Sequence, residues 1–371
     1  MSEFEDCTTE CSSKSFSLKK SFEKLSFISI LGTTLMVVGG FPRGTTTYII
    51  DFSSPNGTCL KVSDFLKFGE YRTNVLLPVA GTIQNTPIVC GGYYEENYRY
   101  VDNTKCLTLK SDGNWSGSVP LQKSRFGASA VKINESLVIT GGKTNNGTNG
   151  TVEVLASTEI VNLEKSQTFV PMPLPIAYHC LIKINETHIL STGGSYEENE
   201  KSAAINSTFL FDFNTQEWSS GPVLNVARMN HGCGTFRLGD STVLLVGGGK
   251  EIPDTFDYDT WTLSGGKDTR SVEVLFTHQW SEGWQAGPPL PLPIQSAYFV
   301  PTPNGRGLIL TGGYDRVTKT SNANFIRFEC TDETLDSCQW TASPQKMLVR
   351  GRNTHVALWI PDDTFQETPC F

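Results

Sequence analysis

The chain has 371 residues, 38% of them hydrophobic and 18% charged, a balance that excludes a disordered polypeptide and describes a folded one. Its 30 basic residues against 38 acidic ones leave a net charge of −8, so no net basic footprint meets a phosphate backbone or an anionic membrane, and nucleic acid is excluded as a partner.

Residues 1–24 are polar and Ser-rich and are expected to be a disordered lead-in to a single domain over 25–371. The apolar run Leu25 to Val38 is 14 residues long and is broken by Ser26, Ser29, Gly32, Thr33 and Thr34. A spanning helix needs about 18 or more, so buried strands are predicted and no transmembrane segment. The run also begins behind Glu3, Glu5 and Asp6, where a secretory leader would carry basic residues.

From there the chain repeats itself. Double glycines close a short apolar strand six times, at Gly39-Gly40, Gly91-Gly92, Gly141-Gly142, Gly193-Gly194, Gly247-Gly248 and Gly312-Gly313, with steps of 52, 50, 52, 54 and 65 residues. A second strand precedes each across a polar turn, and two of those turns share their letters, Lys132-Ile133-Asn134-Glu135 and Lys183-Ile184-Asn185-Glu186. Downstream, Val152-Glu153-Val154-Leu155 recurs as Val272-Glu273-Val274-Leu275, which reads as a shared third strand. An aromatic then marks a fourth strand: Trp115, Trp218, Trp284 and Trp340, with Phe169 as the substitute in one unit and Phe68 in the first. Pro-rich stretches such as Pro171 to Ile176 and Pro289 to Ile294 cannot sit in central strands and are connections between units. The fifth unit carries an insertion around Glu251 to Lys267.

A strand ending in Gly-Gly, a Val-Glu-Val strand and a spaced Trp, six times over residues 25–360, resemble the kelch-repeat family. The resemblance implies an all-β, six-bladed kelch-type β-propeller with four-stranded antiparallel blades. Two segments compete to close the ring beside Leu35 to Val38: Phe27 to Leu31 and the C-terminal Arg352 to Ile360. The C-terminal strand is expected to do so, since Trp359 brings a large apolar surface to bury.

Contact chemistry in such folds belongs to loops. The candidates are Phe41, Tyr93, Tyr94, Tyr196 and Tyr314 after the double glycines, and Arg72, Arg125, Arg228 and Arg352 ahead of new units. Tyr and Arg are enriched in interface centres, so these residues point to a protein or peptide partner, although Arg at that repeat position also suits bracing between blades. The reading is a non-enzymatic binding or scaffold module, monomeric, without cofactor or metal. The alternative, an enzyme resembling the copper-radical oxidases, rests on Tyr178-His179-Cys180, whose neighbours in sequence supply no further imidazoles.

Ten cysteines and seven N-x-S/T sequons bear on compartment. Cys330 and Cys338 flank a hairpin that a disulfide could bridge, whereas Cys90, Cys180 and Cys233 fall in predicted strands, where free thiols would act as small hydrophobes. The sequons are at Asn56, Asn114, Asn134, Asn146, Asn149, Asn185 and Asn206. Together they favour an extracellular or secretory-pathway glycoprotein, with a cytoplasmic one as the alternative.

Overall fold

A computed structural model of the chain describes residues 34–41, 47–52, 58–63, 75–96, 99–111, 113–146, 151–198, 201–252, 255–257, 262–343, 348, 351–361 and 364. They form a six-bladed β-propeller of small antiparallel sheets. The expected lead-in over residues 1–24, the segment Phe27 to Leu31 and Phe68 all lie outside the described residues.

Each blade runs outward from a strand at the axis, where the innermost strands of neighbouring blades pack on one another. In the third blade the order is Ser129–Ile133, Ser136–Thr140, Thr158–Val161 and Ser166–Phe169. The second strand is the most apolar because it has strands on both edges and blades on both faces. Leu137, Val138 and Ile139 are at most 2% exposed, as are Leu35 to Val38 in the first blade and Val243 to Val246 in the fifth. Each such side chain contributes about 1.5–3 kcal/mol by leaving water.

The first blade contains both ends of the ring. Val356–Ile360 is its innermost strand and pairs antiparallel with Thr34–Val38, in register from Thr34 opposite Ile360 to Val38 opposite Val356. The C-terminal strand therefore closes the ring, as the sequence suggests.

The double glycines join the blades. In every blade the second glycine donates its N–H to a carbonyl at the start of the next: Gly40 to Val75 (2.9 Å), Gly92 to Arg125 (2.8 Å), Gly142 to Ile176 (2.9 Å), Gly194 to Arg228 (2.8 Å), Gly249 to Ile294 (2.8 Å) and Gly313 to Arg352 (2.7 Å). Contact here is backbone on backbone. A Cβ on Gly141, whose φ is +62°, would lie 2.2 Å from the Ile176 carbonyl oxygen, so neither the conformation nor the space admits a side chain. In the fifth blade the pair is Gly248-Gly249, one residue later than the spacing suggests, because Gly247 still belongs to the strand Ser241–Gly247.

Two further expectations are corrected. Val272–Phe276 is a blade strand, but its look-alike is not: Thr151–Val154 pairs with Lys143–Asn146 in a hairpin outside the sheet. The true third strand is Thr158–Val161, so Glu159 and not Glu153 corresponds to Glu273. Nor are Cys90, Cys180 and Cys233 free thiols. Cys90 is bonded to Cys106 on the neighbouring strand of the second blade, and Cys180 to Cys233 between the innermost strands of the fourth and fifth blades. Cys330 and Cys338 are bonded across the outer hairpin of the sixth blade, as expected.

Candidate functional site

Alternating strand direction gives the ring two unlike faces. One carries the tight turns within each strand pair. The other carries the crossovers between blades and, after the second strand, a series of protruding hairpins: Tyr93–Glu96 with Arg99–Asp102, Lys143–Asn146 with Thr151–Val154, Ser195–Glu198 with Lys201–Ala204, and Lys250–Ile252 with Lys267–Asp268. Adjacent hairpins touch, and the ammonium of Lys143 reaches across to the carboxylate of Glu197.

The exposed large apolar side chains among the described residues all fall on this hairpin face. Phe41 (52% exposed), Val152, Ile252 and Val317 (78%) sit in the connections that follow second strands, and Val223 lies on the crossover into the fifth blade. Of the residues singled out by sequence, Phe41 is thus exposed, while Tyr93, Tyr94, Tyr196 and Tyr314 are half-buried at the hairpin bases. The ring of Tyr93 meets Phe126 edge-on at 5.1 Å.

The arginines are not available to a partner. Arg125, Arg228 and Arg352 are at most 3% exposed, and their heads are consumed inside the fold. Arg125 donates to the carbonyls of Gly141 (2.9 Å) and Ser157 (3.0 Å), to Ser157 Oγ (3.1 Å) and to Glu159 Oε1 (2.6 Å). Arg228 repeats the set on Gly248, Ser271 and Glu273. The two carboxylates also accept backbone N–H groups of the incoming crossovers, Gln122 on Glu159 (2.7 Å) and Asn225 on Glu273 (2.7 Å). Burial pushes both guanidinium pKa values down, and the paired carboxylates oppose it. Arg352 donates to Gly39 O (3.0 Å), and its guanidinium lies 4.4 Å from the Tyr48 ring centroid, where the other two blades place Glu. Arg72 lies outside the described residues, and the equivalent place in its blade is taken by Val75. Arg228→Met is expected to cost about 3–5 kcal/mol, because Glu273 would stay buried without its cation. Chemical denaturation measures this, and a loss below 1 kcal/mol would contradict the bracing role.

Three histidines form a second set of clasps, a role that sequence reasoning missed. His179, His231 and His355 each follow an Arg or Ile by three residues and reach back to a threonine at the end of the preceding blade's second strand. Their Nε2 atoms lie 2.8 Å from Thr140 Oγ1, 3.0 Å from Thr192 Oγ1 and 2.8 Å from Thr311 Oγ1. Burial, reinforced by the arginines, depresses the pKa of His179 and His355 to about 3, and that of His231 falls well below its usual value. All three are neutral at physiological pH. The repeated spacing from Arg228 to His231 and Arg352 to His355 is the signal that could have revealed them.

At the axis, six residues with left-handed backbone stand at the crossover ends: Leu77, Gly127, Tyr178, Asn230, Ser296 and Thr354. They form a closed circuit of backbone hydrogen bonds, each N–H donating to the preceding member's carbonyl, from Gly127 on Leu77 (3.3 Å) round to Leu77 on Thr354 (3.0 Å). They rim a cup of about 250 Å³ whose wall includes the three histidines, Cys180 and Cys233, and no Asp, Glu, Lys or Arg. Among the described residues no three His, Cys, Asp or Glu side chains stand close enough to share a metal ion.

The sequons divide between the faces. Asn134 and Asn185 are exposed in equivalent turns opposite the hairpin face, and Asn114 is exposed in another turn there. The repeated Asn-Glu letters have a structural cause: Glu135 accepts the N–H of Gln84 (2.6 Å), and Glu186 that of Asn134 (3.2 Å), each tying its turn to the previous blade's. Asn206 is exposed on the hairpin side, the backbone of Asn146 lies in a hairpin, and Asn56 and Asn149 lie outside the described residues.

No protein-family model matches the chain. None of the curated proteins matches it. The structure of YjhT superposes with a TM-score of 0.64 over 84% of this chain and 97% of that chain, at 11% sequence identity, a likeness of fold alone.

Proposed function

We propose that this chain is a non-enzymatic binding module of the kelch-propeller type that presents its hairpin face to a protein or peptide partner. The observation that carries the reading is the gathering of Phe41, Val152, Val223, Ile252 and Val317 on one face. Scattered exposed apolar residues are ordinary, but their confinement to one face of a ring, on its hairpins and crossovers, favours an interaction surface there. Its test is paired: affinity capture with Val152→Lys/Val317→Lys on the hairpin face, and with Glu135→Lys on the opposite face. The first should lose the proteins that the unmodified chain retains, and the second should keep them. Equal recovery by both would reject the hairpin face. Stoichiometric copper in purified protein would instead favour the oxidase-like enzyme.

The three disulfides among the described residues support work outside the cell or along the secretory pathway. No helix among the described residues is long and apolar enough to cross a membrane. On this reading Asn134 and Asn185 carry glycans in native material, as both stand exposed in turns. Peptide mapping after glycosidase release in heavy-oxygen water detects them, and two unmodified asparagines would move the protein to the cytosol.

A further inference from the structure

The N–H groups on the rim of the axial cup are already engaged, since each donates to the preceding rim carbonyl. Donors for a ligand must come from side chains. The three histidines in the wall are committed as well: each Nε2 is engaged by a threonine, and each Nδ1 is sealed from solvent. What remains is gathered on one side. Asn230 of the fifth blade and Ser296 and Tyr298 of the sixth line the cup half-buried, and their polar ends neither bond to a group among the described residues nor are sealed away. In a ring of six, the second and third blades stand opposite. They contribute Leu77, Pro78, Ala128 and Val131, so the far wall is apolar. Burial alone pushes the Tyr298 phenol up to about 12, and its oxygen therefore keeps a proton to donate. Charge is absent from the wall. Above the rim, the Lys143 ammonium lies 5.4 Å from the Tyr178 ring centroid but is already paired with Glu197.

We propose that the axial cup binds a small neutral molecule that carries a carbonyl oxygen on an apolar body, the oxygen received by Tyr298, Ser296 and Asn230 and the body laid against Leu77, Pro78, Ala128 and Val131. The site is independent of the partner surface, which rests on the exposed connections outside the cup. A volume of about 250 Å³ lies just below the range of about 300–1,000 Å³ usual for drug-sized ligands, so the occupant is a single-ring molecule or smaller. Neutrality follows from the wall. A carboxylate would find the same donors but would leave water with no cation to meet it, whereas a plain hydrocarbon would displace water from three polar groups and satisfy none of them. Discrimination therefore runs against charge and against pure apolarity alike.

The test uses the whole folded protein and three probes of one shape: benzamide, benzoate and toluene. Saturation-transfer NMR, titrated to saturation, should show benzamide bound, with benzoate and toluene at least about tenfold weaker. Two variants locate the site. Tyr298→Phe and Ser296→Ala should each weaken benzamide by about five- to tenfold, the loss of one hydrogen bond, while Val152→Lys on the hairpin face should leave it unchanged. Thermal melting of each variant checks that the ring is intact, and Ser296→Ala serves alone if Tyr298→Phe melts early. Failure of benzamide to saturate, equal binding of benzoate or toluene, or an unchanged affinity in a folded cup variant would each overturn the proposal.

Discussion

Deleting residues 353–371 is expected to abolish the cooperative thermal transition altogether. The lost segment contains the innermost strand of the first blade, in which Val356, Ala357 and Ile360 are at most 2% exposed and Leu358 is 9% exposed. Three of these are large aliphatics, which together contribute about 5–9 kcal/mol by burial. Whole-domain stabilities are only about 5–15 kcal/mol, so little would remain. The deletion also removes His355 and its bond to Thr311, and the indole N–H of Trp359 no longer reaches Pro301 O (2.7 Å in the intact ring). Thr34–Val38 would become an unpaired edge facing the axis. Deleting residues 1–31 should leave the transition nearly unmoved, because four strands complete the first blade without them. Calorimetry of both truncations decides the matter, and the opposite pattern would assign closure to the N-terminal segment.

The closing strand was legible because it is an inner strand with no Gly-Gly partner after it, a mismatch that only the other end of the chain can satisfy. The blade count was legible for a related reason: the glycines mark places where backbone must touch backbone, and no other residue substitutes there. The third strands were less so. Val152 to Leu155 copies the letters of Val272 to Leu275, but strand identity depends on which neighbour supplies the hydrogen bonds, and an inserted hairpin can present the same alternation. The better guide was the Ser-x-Glu of Ser157 to Glu159 and Ser271 to Glu273, since a buried arginine needs both the hydroxyl and the carboxylate. The Cys180–Cys233 pairing was hidden because its halves are 53 residues apart and meet only once the ring has brought successive repeats side by side. The exposed valines and isoleucine of the hairpin face carried no signal, as a lone apolar residue in a loop looks the same whether it ends buried or in water.

Mild acid is expected to destabilise the propeller through its three histidine clasps. His179 and His355 titrate near 3 in the folded chain and His231 well below its ordinary 6.5, whereas all three return to about 6.5 once unfolded. Between those limits the unfolded chain binds more protons, so stability is full above pH 6.5 and falls as the pH drops towards the folded values. Three neutral imidazoles lose about 6 kcal/mol between pH 7.5 and pH 5, before ordinary carboxylates protonate. Urea denaturation at the two pH values should show most of the stability gone at pH 5. Replacing the three histidines with glutamine, which keeps an acceptor and donor for Thr140, Thr192 and Thr311, should flatten that dependence. An equally steep loss in the triple variant would place the acid sensitivity elsewhere.

The circuit of six backbone hydrogen bonds around the axis has an electrical consequence. Every N–H in it points the same way round, from each blade to the one before, so the peptide dipoles run head to tail along a circle. Vectors tangent to a closed ring cancel. A helix terminus, where aligned peptides sum to about half a charge, draws anions or cations according to its end. This aperture has no such end and leaves an approaching ion unrewarded. Admission through the propeller's axis is therefore decided by girth and by what the side chains offer, not by the sign of a charge.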